Sequence, residues 1–254
     1  MILTKPRKFI LEGETHAPAI SDDLNFSYRI DAKDKQLRFT PVVQQIHSYT
    51  KPSINRYEVF FRPEGLCTEA FYQELSDEEA CFIAKKQLKW LVRYIDVKTS
   101  NTNLLVDELF VNVDPAALSS VVADIILLRD VLAARNVKLV IEITERKPEA
   151  LNVALIQEMH AYGVLFALDD YCFNNDVRHG LLTEHCIAFI KADVASIREL
   201  IHPSIELRKY SNQALIIERV ESVNDIDICL QIKCEGIQGF YLSHAVDIDS
   251  IYAY

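Results

Sequence analysis

The sequence predicts an α/β fold, a modified (β/α)8 or TIM-like barrel with an antiparallel first strand. Three observations point to it. A chain of 254 residues suits a single barrel domain. Short apolar runs end in, or just before, a carboxylate, amide or lysine: FVN at Asn112, LVIEIT around Glu142, VLFALDD at Asp169 and Asp170, AFIK at Lys191, ALIIE at Glu218 and GIQ at Gln238, with an earlier run, NRYEVFF, carrying Glu58. From Asn112 onward these polar members lie about 20 to 30 residues apart, the length of one strand, one helix and two loops.

In chain order, residues 1–23 carry mixed charge without a hydrophobic period and suit a loosely docked extension. The stretch 26–39, FSYRIDAKDKQLRF, alternates around a polar centre and predicts a hairpin. The chain thus divides into an extension, 1–38, and a barrel domain, 39–254. Thr40 to Ile46 forms a strand, Thr50 to Ser53 a turn, and Ile54 to Phe61 a second strand. Such a close pair is antiparallel, a departure from an all-parallel barrel.

Ser76 and Glu79 form a capping box for a helix over 77–96, whose broad apolar face carries Cys81, Ile83, Leu88, Leu91, Val92 and Ile95. Pro115 opens the next helix, with Asp114 as its N-cap. Further helices are expected over 116–135, 148–162, 194–210 and 222–233. They alternate with strands over 108–113, 137–143, 164–168, 187–191, 214–218 and 236–240.

Composition narrows the function. Half the residues are hydrophobic and the formal net charge is −10, so a surface for a nucleic-acid polymer is not expected. A small phosphorylated ligand stays compatible, because bound cations reverse the local sign. The six cysteines, 67, 81, 172, 186, 229 and 234, form no CxxC pair. They read as reduced, mostly buried thiols of a cytoplasmic protein, with Cys229 and Cys234 inside the last helix. No apolar run reaches the roughly 18 residues of a membrane span, and the N-terminus lacks a signal-peptide pattern, so a soluble protein without membrane contact is expected.

Glu58, Asn112, Glu142, Asp169 and Asp170 offer hard oxygen donors, suited to magnesium or manganese. Singly, each has an ordinary alternative: a solvent-facing strand residue for Glu58, a turn and cap for Asn112, a helix cap for the Asp pair. Glu142 is the exception, since its neighbours on both sides are apolar and a carboxylate there needs a partner. Lys191 would be a paired cation at the barrel mouth. Arg62, four residues beyond Glu58, shares its strand face and suits a phosphate. Metal ions beside a lysine and an arginine suit phosphodiester hydrolysis by an activated water.

These residues carry a resemblance. Tyr57 to Arg62 (YEVFFR) resembles the YEALLR signature of EAL domains, bacterial phosphodiesterases that open cyclic-di-GMP to linear pGpG. Phe39 to Val43 is similar to their FQPIV, Val111 to Pro115 to VNLSP, Ile141 to Glu145 to LEITE, and Leu168 to Tyr171 to LDDF. Ile190 to Asp193 is similar to LKID, Ile217 to Glu221 to AEGVE, and Gln238 to Phe240 to QGY, so the likeness runs in register from Phe39 onward.

The resemblance implies two Mg2+ or Mn2+ ions. Glu58, Asn112, Glu142 and Asp169 would hold one, and Asp169, Asp170 and Glu218 the other. It implies catalytic roles for Glu58, Lys191 and Glu218, with Lys191 assisting water activation or charge neutralisation. Arg62, Gln238 and Asp193 would contact substrate, and Glu145 and Glu221 would brace the loop after the Asp pair. Three departures stand out. The family's glycine-rich loop is here Tyr171-Cys172-Phe173-Asn174-Asn175, the glycine of AEGVE is Arg219, and Thr40 and His244-Ala245 replace a glutamine and an Arg-Pro. The expected function is metal-dependent hydrolysis of cyclic-di-GMP by a stand-alone domain. A weak or inactive cyclic-di-GMP sensor or a protein-binding regulator is the alternative, and a homodimer or a regulatory protein partner stays open.

Overall fold

The structure, a computed structural model, describes residues 24–30, 33–99, 102–200, 210 and 212–253, with side chains from residue 38 onward. The expected extension over 1–23, and most of the C-terminal half of the helix expected over 194–210, lie outside the described residues.

Eight strands close a barrel. In chain order they are β2 (Lys33–Ser48), β3 (Asn55–Pro63), β5 (Glu108–Val113), β6 (Lys138–Ile143), β7 (Leu165–Leu168), β8 (Ile187–Asp193), β9 (Ala214–Glu218) and β10 (Gly236–Ile237). Neighbours from β3 to β10 pair in parallel, and β2 closes the ring antiparallel to both β3 and β10. The first barrel strand is therefore reversed, as the short turn between Thr40–Ile46 and Ile54–Phe61 required. Ahead of it, β1 (Leu24–Ile30) pairs antiparallel with the first half of β2, Leu24 opposite Phe39 and Ile30 opposite Lys33. β2 runs unbroken through Arg38 and Phe39, so hairpin and barrel share one strand. Short pairs of β4 (Asn103–Leu104) with β12 (Tyr252–Ala253), and of β11 (Val246–Asp247) with β2, tie down the C-terminus.

Outside the barrel lie α1 (Thr68–Gln73), α2 (Asp77–Lys98), α3 (Pro115–Leu118), α4 (Val122–Ala133), α5 (Val153–Ala161), α6 (Val194–Arg198) and α7 (Val223–Ile232). The capping box of α2 forms as the sequence indicated: Glu79 N–H donates to Ser76 Oγ, and Ser76 N–H to the Glu79 carboxylate. Among the described residues no helix is long and apolar enough to cross a membrane.

Four expectations need correction. The helix over 116–135 is two pieces, because the Ser120 hydroxyl donates to the Ala117 carbonyl and ends α3. The helix over 148–162 begins as a 3-10 turn at Pro148–Ala150 and restarts where Asn152 caps α5. The strand over 236–240 keeps only its first two residues, since Gly239 turns onto the backbone of Val220. Cys234 lies just past α7, its thiol donating to the Cys229 carbonyl, and among the six cysteines Cys67 is exposed.

Inside the barrel, side chains two residues apart on one strand share a face and form layers. Ile46, Phe110, Val140, Ala167, Phe189 and Ile216 make an apolar plug, with the Phe110 and Phe189 rings edge to face at 5.1 Å. Two residues nearer the mouth on the same strands stand Gln44, Asn112, Glu142, Asp169, Lys191 and Glu218. The site is thus the polar layer resting on this apolar floor.

Candidate functional site

Strand register sets the site. Gln44 pairs with Glu58 across β2 and β3, and Asn112 with Glu142 across β5 and β6. Lys191 lies at the centre and is fully buried. Its Nζ approaches Glu142 Oε1 at 2.6 Å, Glu218 Oε1 at 2.8 Å, Glu58 Oε2 at 2.9 Å and Asp169 Oδ1 at 3.2 Å. Asn112 donates to Glu58 Oε1 at 2.6 Å and Gln238 to Glu58 Oε2 at 2.9 Å. Gln238 also reaches Gln44 Oε1, whose amide nitrogen donates to the Ser243 carbonyl.

One ammonium facing four carboxylates leaves negative charge uncompensated, and the acids respond differently. Burial pushes Glu142 far above the usual carboxylate range, and the nearby Glu58 charge adds to this. Burial likewise raises Glu218, against the opposing pull of Lys191. Burial also acts upward on Glu58, but Lys191 and the hydrogen bonds it accepts hold it below its ordinary value. Burial alone would lower Lys191; Asp169, Glu142, Glu218 and Glu58 together raise it well above the usual lysine value. Burial and the Asp169 charge push Asp170 up to about 6.

The donor set fits divalent cations by its chemistry. All its donors are hard oxygens or an amide, and Oε2 of the fully buried Glu142 accepts no hydrogen bond while Oε1 faces Lys191. As the side chains stand, the ammonium of Lys191 holds the centre, and no three of the described His, Cys, Asp and Glu residues are arranged to hold an ion.

Asp170 is not one of the four acids that Lys191 pairs with. Its backbone has a φ of 44°, and its carboxylate faces the guanidinium of Arg219, which also reaches Asp193. Asp193 in addition caps α6 by accepting from Ala195 N–H. Arg62 is exposed at the rim, four residues beyond Glu58, and lines neither of the two cavities at the mouth. Those cavities, of about 270 and 240 Å3, share Phe60, Asn112, Asp169, Asp170 and Arg219 as walls. Together they fall in the ~300 to 1,000 Å3 range of small-molecule sites. Glu145 lines the larger and Glu221 the smaller.

The loop after Asp170 is held by other residues than those two acids. Tyr171 N–H donates to the Lys191 carbonyl, and the Tyr171 hydroxyl meets His179 Nδ1 at 2.7 Å. Asp176 accepts from Cys172 N–H and pairs with the buried Arg178, whose Nη1 donates to the Ile143 carbonyl. Among the described residues only Asp170 within 169–176 has a left-handed backbone, so Cys172 and Asn174 close the loop without glycine. Gln44, Phe60 and Phe240, all lining the smaller cavity, escaped the sequence reading. Alternation along β2 and β3 would have found the first two, whereas Phe240 follows a turn with no periodic signal.

The EAL domain family model matches residues 87–245. No curated protein matches the chain. Among solved structures, the FimX EAL domain from Pseudomonas aeruginosa bound to c-di-GMP is 20% identical with a TM-score of 0.62, covering 82% of this chain and 90% of its own. The PaMucR phosphodiesterase in its c-di-GMP complex is also 20% identical at a TM-score of 0.62, covering 84% of this chain and 98% of that one. A Klebsiella pneumoniae BlrP1 calcium and c-di-GMP complex is 18% identical at 0.60, covering 82% and 55%. Likeness at such identities is one of fold, and the family match spans more than half the sequence. By that match and the shared barrel, the chain belongs to the EAL domain family.

Proposed function

We propose that this EAL domain hydrolyses one phosphodiester bond of cyclic-di-GMP to linear pGpG, using two Mg2+ or Mn2+ ions. One observation carries the proposal: a closed layer of strand-end acids in which, among the described residues, one lysine, Lys191, faces four carboxylates and Glu142 Oε2 accepts no hydrogen bond. Glu58, Asn112, Glu142 and Asp169 are the residues for one ion, and Asp169, Asp170 and Glu218 for the other. Held by those residues, such ions would supply polarisation of the phosphoryl oxygens and a water that ionises near neutral pH.

The protein's own groups do the rest. Lys191 fixes the directions of Glu58, Glu142, Asp169 and Glu218 and offsets their charge. Gln238 and Asn112 hold the Glu58 carboxylate from either side. Arg62 and Arg219 stand at the rim as phosphate partners, with Asp193 beside Arg219. Phe240, stacked on His244 at 5.0 Å, presents an apolar ring toward a purine. Water adds to phosphorus as one P–O3′ bond breaks, and the leaving oxygen takes a proton to become the 3′ hydroxyl of pGpG. Residues 39–254 are the working domain and 1–38 an appended extension, in the cytoplasm where the nucleotide signals, with a homodimer or a regulatory protein as further contacts.

The second reading, a sensor that binds without cleaving, is favoured by Arg219 facing Asp170. The purified protein is incubated with cyclic-di-GMP and Mg2+ or Mn2+, following linear product and ligand-induced stabilisation together. Product that disappears in Glu58→Ala supports hydrolysis. Stabilisation without product supports the sensor, and neither outcome, with metal present, overturns both.

A further inference from the structure

Arg219 stands where the family's motif has glycine, directly after Glu218, with a φ of 53°. An arginine accepts that left-handed backbone only at a cost, so something must hold it there. Its Nη2 lies 3.7 Å from Asp170 Oδ2 and its Nη1 3.3 Å from Asp193 Oδ2, while 57% of the side chain stays exposed. Lys191 meanwhile contacts both Asp169 and Glu218. Each of the three acids assigned to the outer ion therefore already faces a side-chain cation, and Asp170 faces one that a glycine would not supply.

We propose that Arg219 is a built-in counter-cation for Asp170 that weakens the outer divalent ion. The free chain then takes one ion tightly and a second only weakly. The inference rests on the metal-site reading above. Among the described residues Arg219 makes ion pairs with Asp170 and Asp193 and none with Glu58, Glu142 or Asp169, so the inner set keeps its affinity. The outer ion must displace the guanidinium from Asp170 or bind beside it, and like charges a few ångströms apart repel strongly at a partly buried site.

The test counts ions without using turnover. Mn2+ is titrated calorimetrically into the chelator-stripped full chain and into Arg219→Gly, Arg219→Gln and Arg219→Lys, each verified as folded by its thermal transition. The wild type should show two classes, and Gly and Gln should tighten the second by about tenfold while moving the first less than about twofold. Lys should behave as wild type, which separates charge from backbone relief. Two equal sites in the wild type, an unmoved second site in Gly and Gln, or equal tightening in Lys would overturn the inference and leave the hydrolase reading standing. No Mn2+ bound by any folded form would overturn both.

Discussion

At the scale of single residues, the site is organised by charge that the chain cannot balance alone. Among the described residues Lys191 is the one ammonium facing the four acids, so Lys191→Met leaves buried carboxylates facing one another. The metal-free variant should lose about 3 kcal/mol of stability in urea unfolding. Added Mn2+ should return part of it, and an unchanged midpoint in chelator would contradict the central role given to Lys191. Burial and the Asp169 charge outweigh the Arg219 guanidinium in setting how Asp170 titrates. Its folded value, near 6, lies above the ordinary 3.8, so the fold prefers it protonated and loses stability as pH rises through that interval. Asp170→Asn removes this dependence. The difference in thermal midpoint, variant minus wild type without metal, should grow from pH 4.5 to pH 7, modestly because the side chain is 38% exposed. Glu142 was legible in the sequence because an acid between apolar neighbours in a strand has no bland explanation. Arg219 was legible as a departure but not in direction, since its aim follows from a positive φ that no composition reveals.

At the scale of elements, the strands were the most readable part, because in most of them a polar residue at or next to the end breaks the apolar run. The helices were less so. α3 and α4 share one apolar period, and the serine hydroxyl that separates them acts locally. The end of β10 was hidden for a sharper reason. A Cβ on Gly239 would stand 2.1 Å from the Val220 carbonyl oxygen and 2.3 Å from its nitrogen, so two backbones touch where β9 and β10 leave the barrel. Val220 N–H donates to the Gln238 carbonyl and Tyr241 N–H to the Val220 carbonyl across this contact. Gly239→Ala must push the segments apart, costing about 2 kcal/mol or more and loosening Gln238 and Arg219 together. A stable variant with unchanged metal affinity and turnover would show that the contact does not position the site.

At the scale of the whole molecule, closure of the ring makes the layers possible: an apolar plug below, a polar layer above, and a mouth walled by loops. Metal identity is a property of that complete layer. Calcium takes more ligands at longer distances than magnesium or manganese and activates water poorly, so the domain should bind calcium yet lose turnover in it. Brisk hydrolysis in calcium would contradict the compact geometry. The reversed β2 has one more effect. An all-parallel barrel receives its chain at the floor, opposite the chemistry. Here β2 descends from the mouth, with Phe39 level with Pro63 at the top and His47 level with Asn55 at the base. The β1–β2 hairpin therefore rises as an arm beside the opening. Leu24 pairs with Phe39 at that rim, so a pull applied at Leu24 would act on the edge of the site itself rather than on the base of the barrel.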